Sequence, residues 1–313
     1  MTEKMKAVRY HQYGGPEVLV MEHVQKPVVG PGQVLVKVKA AGINPIDWKL
    51  RAGEMTAIIP VQFPVTVGRD LAGVVEAVAE DVESFRPGDA VYAVMPKEAF
   101  GAYAEYALLD QSHVALKPET LDFIQASTIP MSALTAWQSI VDIGELKAGD
   151  NILVHGAAGS VGSMAVQIAK ALGAQVTGAA FEKDKAFVES LGTDRFVSYD
   201  AGPFENVVQD QDIVLDTLAG EIQDRSWSTL KPNGILVTTL VLGDQEKPKQ
   251  FGVRAANTVS GPSGAQLKQI AQLIDSGKIS TRLGLVLSLD EAAKAQELSQ
   301  SHSIKGKIVL NLQ

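Results

Sequence analysis

The stretch Asn151-Ile-Leu-Val-His155-Gly156-Ala157-Ala158-Gly159-Ser160-Val161-Gly162, which runs on into Ser-Met-Ala-Val-Gln-Ile-Ala-Lys170, decides the fold. Residues 151–155 form a short apolar run that reads as a buried strand, 161–172 read as a helix, and the turn between them holds Gly156 and Gly159, with Gly162 in the first turn of the helix. Strand, glycine turn and helix, in that order, bring unpaired backbone N–H groups and the positive end of a helix dipole up to a pyrophosphate. A Cβ at Gly159 would obstruct that approach, while Gly162 lets the helix pack closely on its strand. Ala157 stands where the strict G-x-G-x-x-G pattern has its first glycine, so this turn is the variant A-x-G-x-x-G. Ala158, Gly159, Ser160, Val161 and Gly162 are the expected phosphate contacts of a dinucleotide; the plainer alternative is a glycine turn that serves only helix packing.

Downstream, strand-like runs at 176–180, 212–216 and 235–240 alternate with helical ones at 183–191 and 223–230, which is how a parallel sheet wrapped by helices reads. An NAD site would carry Asp or Glu at the end of the second strand, ~20 residues past the turn, to bind the ribose 2′-hydroxyl. Here that strand ends in Ala180, and Lys183 follows as a cation for a 2′-phosphate, so NADP (as NADPH) is the expected cofactor. Glu182 points the other way, and Lys183 with Lys185 also fits a solvated helix start.

Upstream, β-prone runs at 34–40, 71–78, 90–94 and, less sharply, 102–109 are separated by breakers such as Gly30-Pro31-Gly32 and Arg86-Pro87-Gly88-Asp89. A helix over 132–141 opens the next region, and the tail carries helical stretches at 265–276 and 290–299 with a last strand at 307–312. The expected organisation is a β-rich domain from 1–128, a nucleotide domain from 129–261, and a return to the first domain over 262–313. No internal repeat is present.

The chain has 313 residues, a formal charge of −8 and no cysteine. The charge disfavours nucleic acid and anionic membranes as partners. The missing cysteines remove disulfides, thiolate nucleophiles and thiolate zinc sites, and the five histidines (11, 23, 113, 155, 302) include no i,i+4 pair to seed a metal site. No run approaches the ~18 apolar residues of a membrane span, and the first residues hold no apolar core after their charges, so cytoplasmic residence is expected.

The sequence resembles the medium-chain dehydrogenase/reductase superfamily and, within it, the zinc-free quinone oxidoreductases related to zeta-crystallin. The resemblance covers nearly the whole chain. It rests on Met5-Lys-Ala-Val-Arg9 with Gly14-Gly15-Pro16, on Ala41-Gly42-Ile43-Asn44-Pro45-Ile46-Asp47, on 64–73, on Phe85-Arg86-Pro87-Gly88-Asp89-Ala90-Val91, on the glycine turn, and on Lys305-Gly306-Lys307-Ile308-Val309. It implies a GroES-like β-rich substrate domain made from both chain ends, with a doubly wound Rossmann domain inserted and the cofactor in the cleft, and it implies a homodimer. In zinc-dependent relatives a Cys ligand stands at the position of Asn44 and a His-Glu pair at Arg69-Asp70, so the resemblance implies that no Lewis acid polarises the substrate.

The resemblance also nominates site residues. Asn44 and Asp47 belong to the Asn-Pro-x-Asp loop, where an amide orients nicotinamide or substrate and a carboxylate orders donors; an Asn-Pro turn is the structural alternative. Trp48 stands where close quinone reductases often have Tyr, and an indole stacks on a flat acceptor without relaying a proton. Lys49 and Arg51 are candidates for stabilising negative charge on a substrate oxygen, though each alone reads as surface charge. Thr135 matches a threonine near the nicotinamide and Tyr199 a tyrosine flanking the adenosine phosphate, while Thr217 ends a strand where doubly wound sheets bind ligands. His155 is read as a cap of its strand end, not a catalytic base.

The expected function is hydride transfer from NADPH to a quinone or other conjugated carbonyl, whose acceptor orbital needs no metal to polarise it. The alternatives are a 2-alkenal or enoyl-thioester reductase and a non-catalytic NADP(H)-binding regulatory protein.

Overall fold

The computed structural model describes residues 3–97 and 99–313. The chain forms two compact units. One is built from the residues up to 131 with 261–275 and 280–313; the other comprises 132–260 with 276–279.

The second unit is a six-stranded parallel sheet in the order Arg195–Ser198, Gln175–Ala180, Asn151–His155, Gln211–Asp216, Leu230–Thr238, Arg254–Asn257. The first strand in sequence lies in the middle, and the order reverses beside it. That reversal makes a crevice at the carboxyl ends of Asn151–His155 and Gln211–Asp216, the switch point where doubly wound sheets take their ligands. Central strands are buried on both faces, which is why residues such as Ile152, Leu153 and Val154 form an apolar run and not an alternation. The helix Ser160–Ala171 follows the first strand.

The first unit holds a seven-stranded sheet in which the C-terminal strand Lys307–Asn311 pairs antiparallel with Gln33–Gly42, so both ends of the chain build one sheet. Gln33–Gly42 pairs in turn with Asp70–Val78, and Val34, Val36, Leu71, Val75 and Val91 fill the core beneath. A smaller sheet joins Lys4–Tyr10 to Val20–Gln25 and Val65–Thr66. The GroES-like plus Rossmann architecture expected from the sequence is therefore the observed one.

Several expected elements are displaced. The strand expected over 102–109 is confined to Tyr106–Asp110, and Ala104 contributes only an isolated bridge to Ala7. The helix expected over 132–141 is an α-helix over Pro130–Trp137 that widens into a π-helix over Gln138–Ile143. The strands Arg195–Ser198, Arg254–Asn257 and Leu283–Ser288 escaped the sequence reading. The first two are only four residues long, and Leu283–Ser288 is exposed at four of its six positions, which blurs the period-2 signal.

Candidate functional site

The glycine turn opens at Gly156, whose φ of +66° is left-handed and where an added Cβ would stand 2.3 Å from Thr217 Oγ1. At Gly162 an added Cβ would meet the Gly156 carbonyl oxygen at 2.2 Å. Both glycines are thus required by the protein's own packing. Gly159 differs: its backbone is extended, and a Cβ would touch only the Gly156 oxygen, at 3.2 Å. The space over Gly159 is open, as close approach of a phosphate requires. Gly159 caps a twelve-residue helix without any side-chain cap, and the first intrahelical bond runs from Ser163 N to Gly159 O. The N–H groups of Ser160, Val161 and Gly162 therefore precede the helical ladder and point out of its end.

A buried chain of hydrogen bonds holds this turn from behind. Gly156 N–H donates to the Tyr199 hydroxyl at 3.1 Å, which lies 2.9 Å from His155 Nδ1; His155 Nε2 lies 2.9 Å from Ser226 Oγ. The Ser226 hydroxyl donates to Ile222 O at 2.6 Å. Its proton being committed, Ser226 accepts from His155 Nε2–H, and His155 Nδ1 accepts from the Tyr199 hydroxyl. Full burial pushes the imidazole down to about 4, so it is neutral near pH 7, and burial likewise raises the Tyr199 phenol. His155 is accordingly a strut, and Tyr199 leaves its ring beside Phe181 at a 5.6 Å centroid separation. Thr217 Oγ1 donates to the His155 carbonyl at 2.9 Å, which places Thr217 at the switch point.

At the neighbouring strand end, Ala180 is buried and Lys183 is exposed, its ammonium 5.5 Å above the Phe181 ring. Asp200 was missed by sequence reasoning: its carboxylate accepts the Glu182 N–H at 2.8 Å. Thr135 is buried in the helix Pro130–Trp137, and its hydroxyl donates to Ser260 Oγ at 3.0 Å.

In the first unit, Asn44 caps the short helix Pro45–Arg51 and is 3% exposed. Its backbone N–H donates to Asp47 Oδ2 at 2.8 Å and its amide to Asp70 Oδ2 at 2.9 Å, while its Oδ1 accepts from Lys307 Nζ at 2.6 Å. Lys307 also donates to Ile43 O at 2.9 Å and lies 3.6 Å from Asp70 Oδ2. Burial pushes the Asp70 carboxyl up and the Lys307 ammonium down, and their mutual attraction opposes both shifts. The Asp47 carboxyl is pushed up to about 6 by burial, against hydrogen bonds from Asn44 and the Tyr103 hydroxyl. Trp48 is 8% exposed, with Lys49 over its ring at 5.5 Å and its indole N–H without a partner. Arg51 corrects the surface-charge reading: it is 1% exposed because its helix turns it into the unit, and its Nε and Nη1 have no partner.

Two family models match the chain. Residues 30–119 match the alcohol dehydrogenase GroES-like domain, and 191–310 match the zinc-binding dehydrogenase model. The mitochondrial NAD(P)H oxidoreductase RTN4IP1 of Danio rerio is 31% identical over 96% of this chain and 89% of its own length. The chloroplastic NADPH-dependent alkenal/one oxidoreductase of Arabidopsis thaliana is 35% identical over 88% of this chain and 71% of its own. The solved structure of the quinone oxidoreductase from Coxiella burnetii superposes with a TM-score of 0.90 at 30% identity, covering 99% of this chain and 100% of that one.

The chain belongs to the medium-chain dehydrogenase/reductase superfamily, in its quinone oxidoreductase-like group. Like other members of that group it is a nicotinamide-dependent oxidoreductase, and its Rossmann-type sheet fits NADP(H). Within this medium-chain reductase, Ala158, Gly159, Ser160, Val161, Gly162 and Thr217 come together at one switch point, with Ala180, Lys183 and Tyr199 at the adjoining strand ends. Asn44, Asp47 and Trp48 share one helix start in the other unit. Lys307, Asp70 and Tyr103 complete that cluster; the sequence marked Asp70 only as the place of a zinc-ligand pair in relatives, and Lys307 and Tyr103 were not nominated as site residues. A lone lysine leading the unbroken apolar run Ile308-Val309-Leu310 was the available signal, because a lysine buried there needs partners.

Among the described residues no group of three or more His, Cys, Asp or Glu is placed to hold a metal ion, and no helix is long and apolar enough to cross a membrane.

Proposed function

We infer that this enzyme reduces a conjugated carbonyl acceptor, a quinone or an α,β-unsaturated aldehyde or ketone, with NADPH and without zinc. The observation that carries the reading is Lys307. Asn44 Oδ1 and Asp70 Oδ2, acceptor atoms at the positions where zinc-dependent relatives keep ligands, face its ammonium and are already hydrogen-bonded. One carboxylate and one amide, both facing a buried ammonium, do not make up the three thiolate, imidazole or carboxylate ligands that a catalytic zinc ion takes from its protein. An acceptor activated by its own conjugation needs no Lewis acid, and the nicotinamide supplies the hydride once bound.

In this reading the N–H groups of Ala158, Ser160, Val161 and Gly162 bind a pyrophosphate lodged over Gly159, whose own N–H is held by the Gly156 carbonyl, Lys183 attracts the 2′-phosphate, and the Tyr199 ring flanks the adenosine side. Thr135 and the second amide hydrogen of Asn44 orient the nicotinamide. Trp48 contacts the acceptor, and Asp47 fixes the Asn44 backbone. Residues 1–128 and 262–313 serve the substrate and 129–261 the nucleotide. The enzyme acts in the cytoplasm as a homodimer, for which the edge strand Arg254–Asn257, with exposed Val259 beyond it, offers a pairing edge.

Initial rates of NADPH oxidation with a quinone, a 2-alkenal and an enoyl thioester test the reading. Turnover with the quinone or the alkenal is expected. Turnover with the thioester alone would reassign the acceptor, and none with any of the three would leave a binding protein.

A further inference from the structure

The strand Gln175–Ala180 ends without a carboxylate, yet one reaches its end through space. Ala180 and Ser198 are paired in register on parallel neighbouring strands, so the chain leaves both at the same level. Two residues further on each side, Asp200 Oδ2 accepts the Glu182 N–H at 2.8 Å. The Asp200 backbone is held in turn, its N–H donating to Ser198 Oγ at 3.2 Å. We propose that Asp200 is the specificity-determining residue for the nicotinamide cofactor, a fixed anion that restrains this enzyme's preference for NADPH over NADH. The inference rests on the dinucleotide reading of the glycine turn.

The adenosine ribose of a doubly wound domain is read beyond the second strand. A fixed carboxylate there favours a ribose 2′-hydroxyl and repels a 2′-phosphate. The other charges nearby are less constrained. Lys183, Lys185 and Asp200 are all exposed, but among these only Asp200 is tied to the backbone, and Glu182, its side chain 58% exposed, lies 3.9 Å from the Lys185 ammonium, which offsets its charge. Asp200 is the carboxylate pinned by a backbone N–H, so its field does not average away with side-chain motion.

Asp200→Asn keeps an oxygen for the Glu182 N–H and removes only the charge. The ratio of kcat/KM for NADPH to that for NADH is expected to rise about fivefold at low ionic strength, the scale of charges several ångströms apart in a wet surface site. The gain is expected to shrink as salt shortens the Debye length toward ~3 Å at 1 M. Glu182→Gln is expected to move the ratio less. An unmoved ratio in active Asp200→Asn enzyme, or a shift indifferent to salt, overturns the inference alone. A wild type that binds and oxidises neither dinucleotide overturns the underlying reading, and the inference with it.

Discussion

The Tyr199 hydroxyl joins the phosphate turn to the buried imidazole behind it, accepting the Gly156 N–H at 3.1 Å and donating to His155 Nδ1 across 2.9 Å. Tyr199→Phe strands both partners. Leaving buried polar groups unsatisfied costs about 1–3 kcal/mol, which denaturant unfolding will read. Because the hydroxyl steadies the turn, a rise in KM for NADPH is expected with kcat largely kept.

The same network makes stability pH-dependent. His155 is held near 4 in the folded protein against about 6.5 when unfolded. Between those values the unfolded chain binds the extra proton, so stability present above pH 6.5 is lost as pH falls toward 4, by about 3 kcal/mol in all. Asp47, pushed up to about 6, works in the opposite sense: the folded state binds the extra proton between about 4 and 6, which favours it as pH falls. Comparing wild type with His155→Gln at pH 7 and 4.5 separates the two. The variant is expected to lose less stability on acidification.

Gly159 and Gly162 are expected to respond differently to alanine. At Gly162 the new Cβ collides with backbone, so about 1–3 kcal/mol of stability is lost through overpacking. At Gly159 the backbone is extended and the collision mild, so stability stays within about 1 kcal/mol while NADPH affinity falls about tenfold, the worth of roughly one charge-assisted hydrogen bond. Thermal melts with and without NADPH check both.

Lys307→Met leaves Asp70 as a buried, uncompensated carboxylate, and breaking a buried pair in this way costs about 3–5 kcal/mol. The double variant Lys307→Met/Asp70→Leu is expected to recover part of the loss. Unfolding midpoints of these two and of Asp70→Leu alone close the cycle, and additive losses would show that the pair is not coupled.

The nucleotide fold was legible because each central strand is an apolar run and the glycine turn falls between strand and helix. Asn151–His155 was read to the residue. Short edge strands were not, since four residues such as Arg195–Ser198 carry too little periodicity to stand out. Site chemistry was legible where neighbours in sequence act together, as in 158–162. It was hidden where the partner arrives from afar: Lys307 meets Asn44 across 263 residues, and Asp200 meets Glu182 across 18. Arg51 was misjudged because charge alone does not reveal which helix face is turned inward.

NADPH oxidation by enzyme stripped with a strong chelator and supplied with a quinone or an enal tests zinc-free hydride transfer most directly. Steady turnover, unchanged by the chelator and faster with NADPH than with NADH, is the expected result. Activity that vanishes on chelation and returns with added zinc would contradict it.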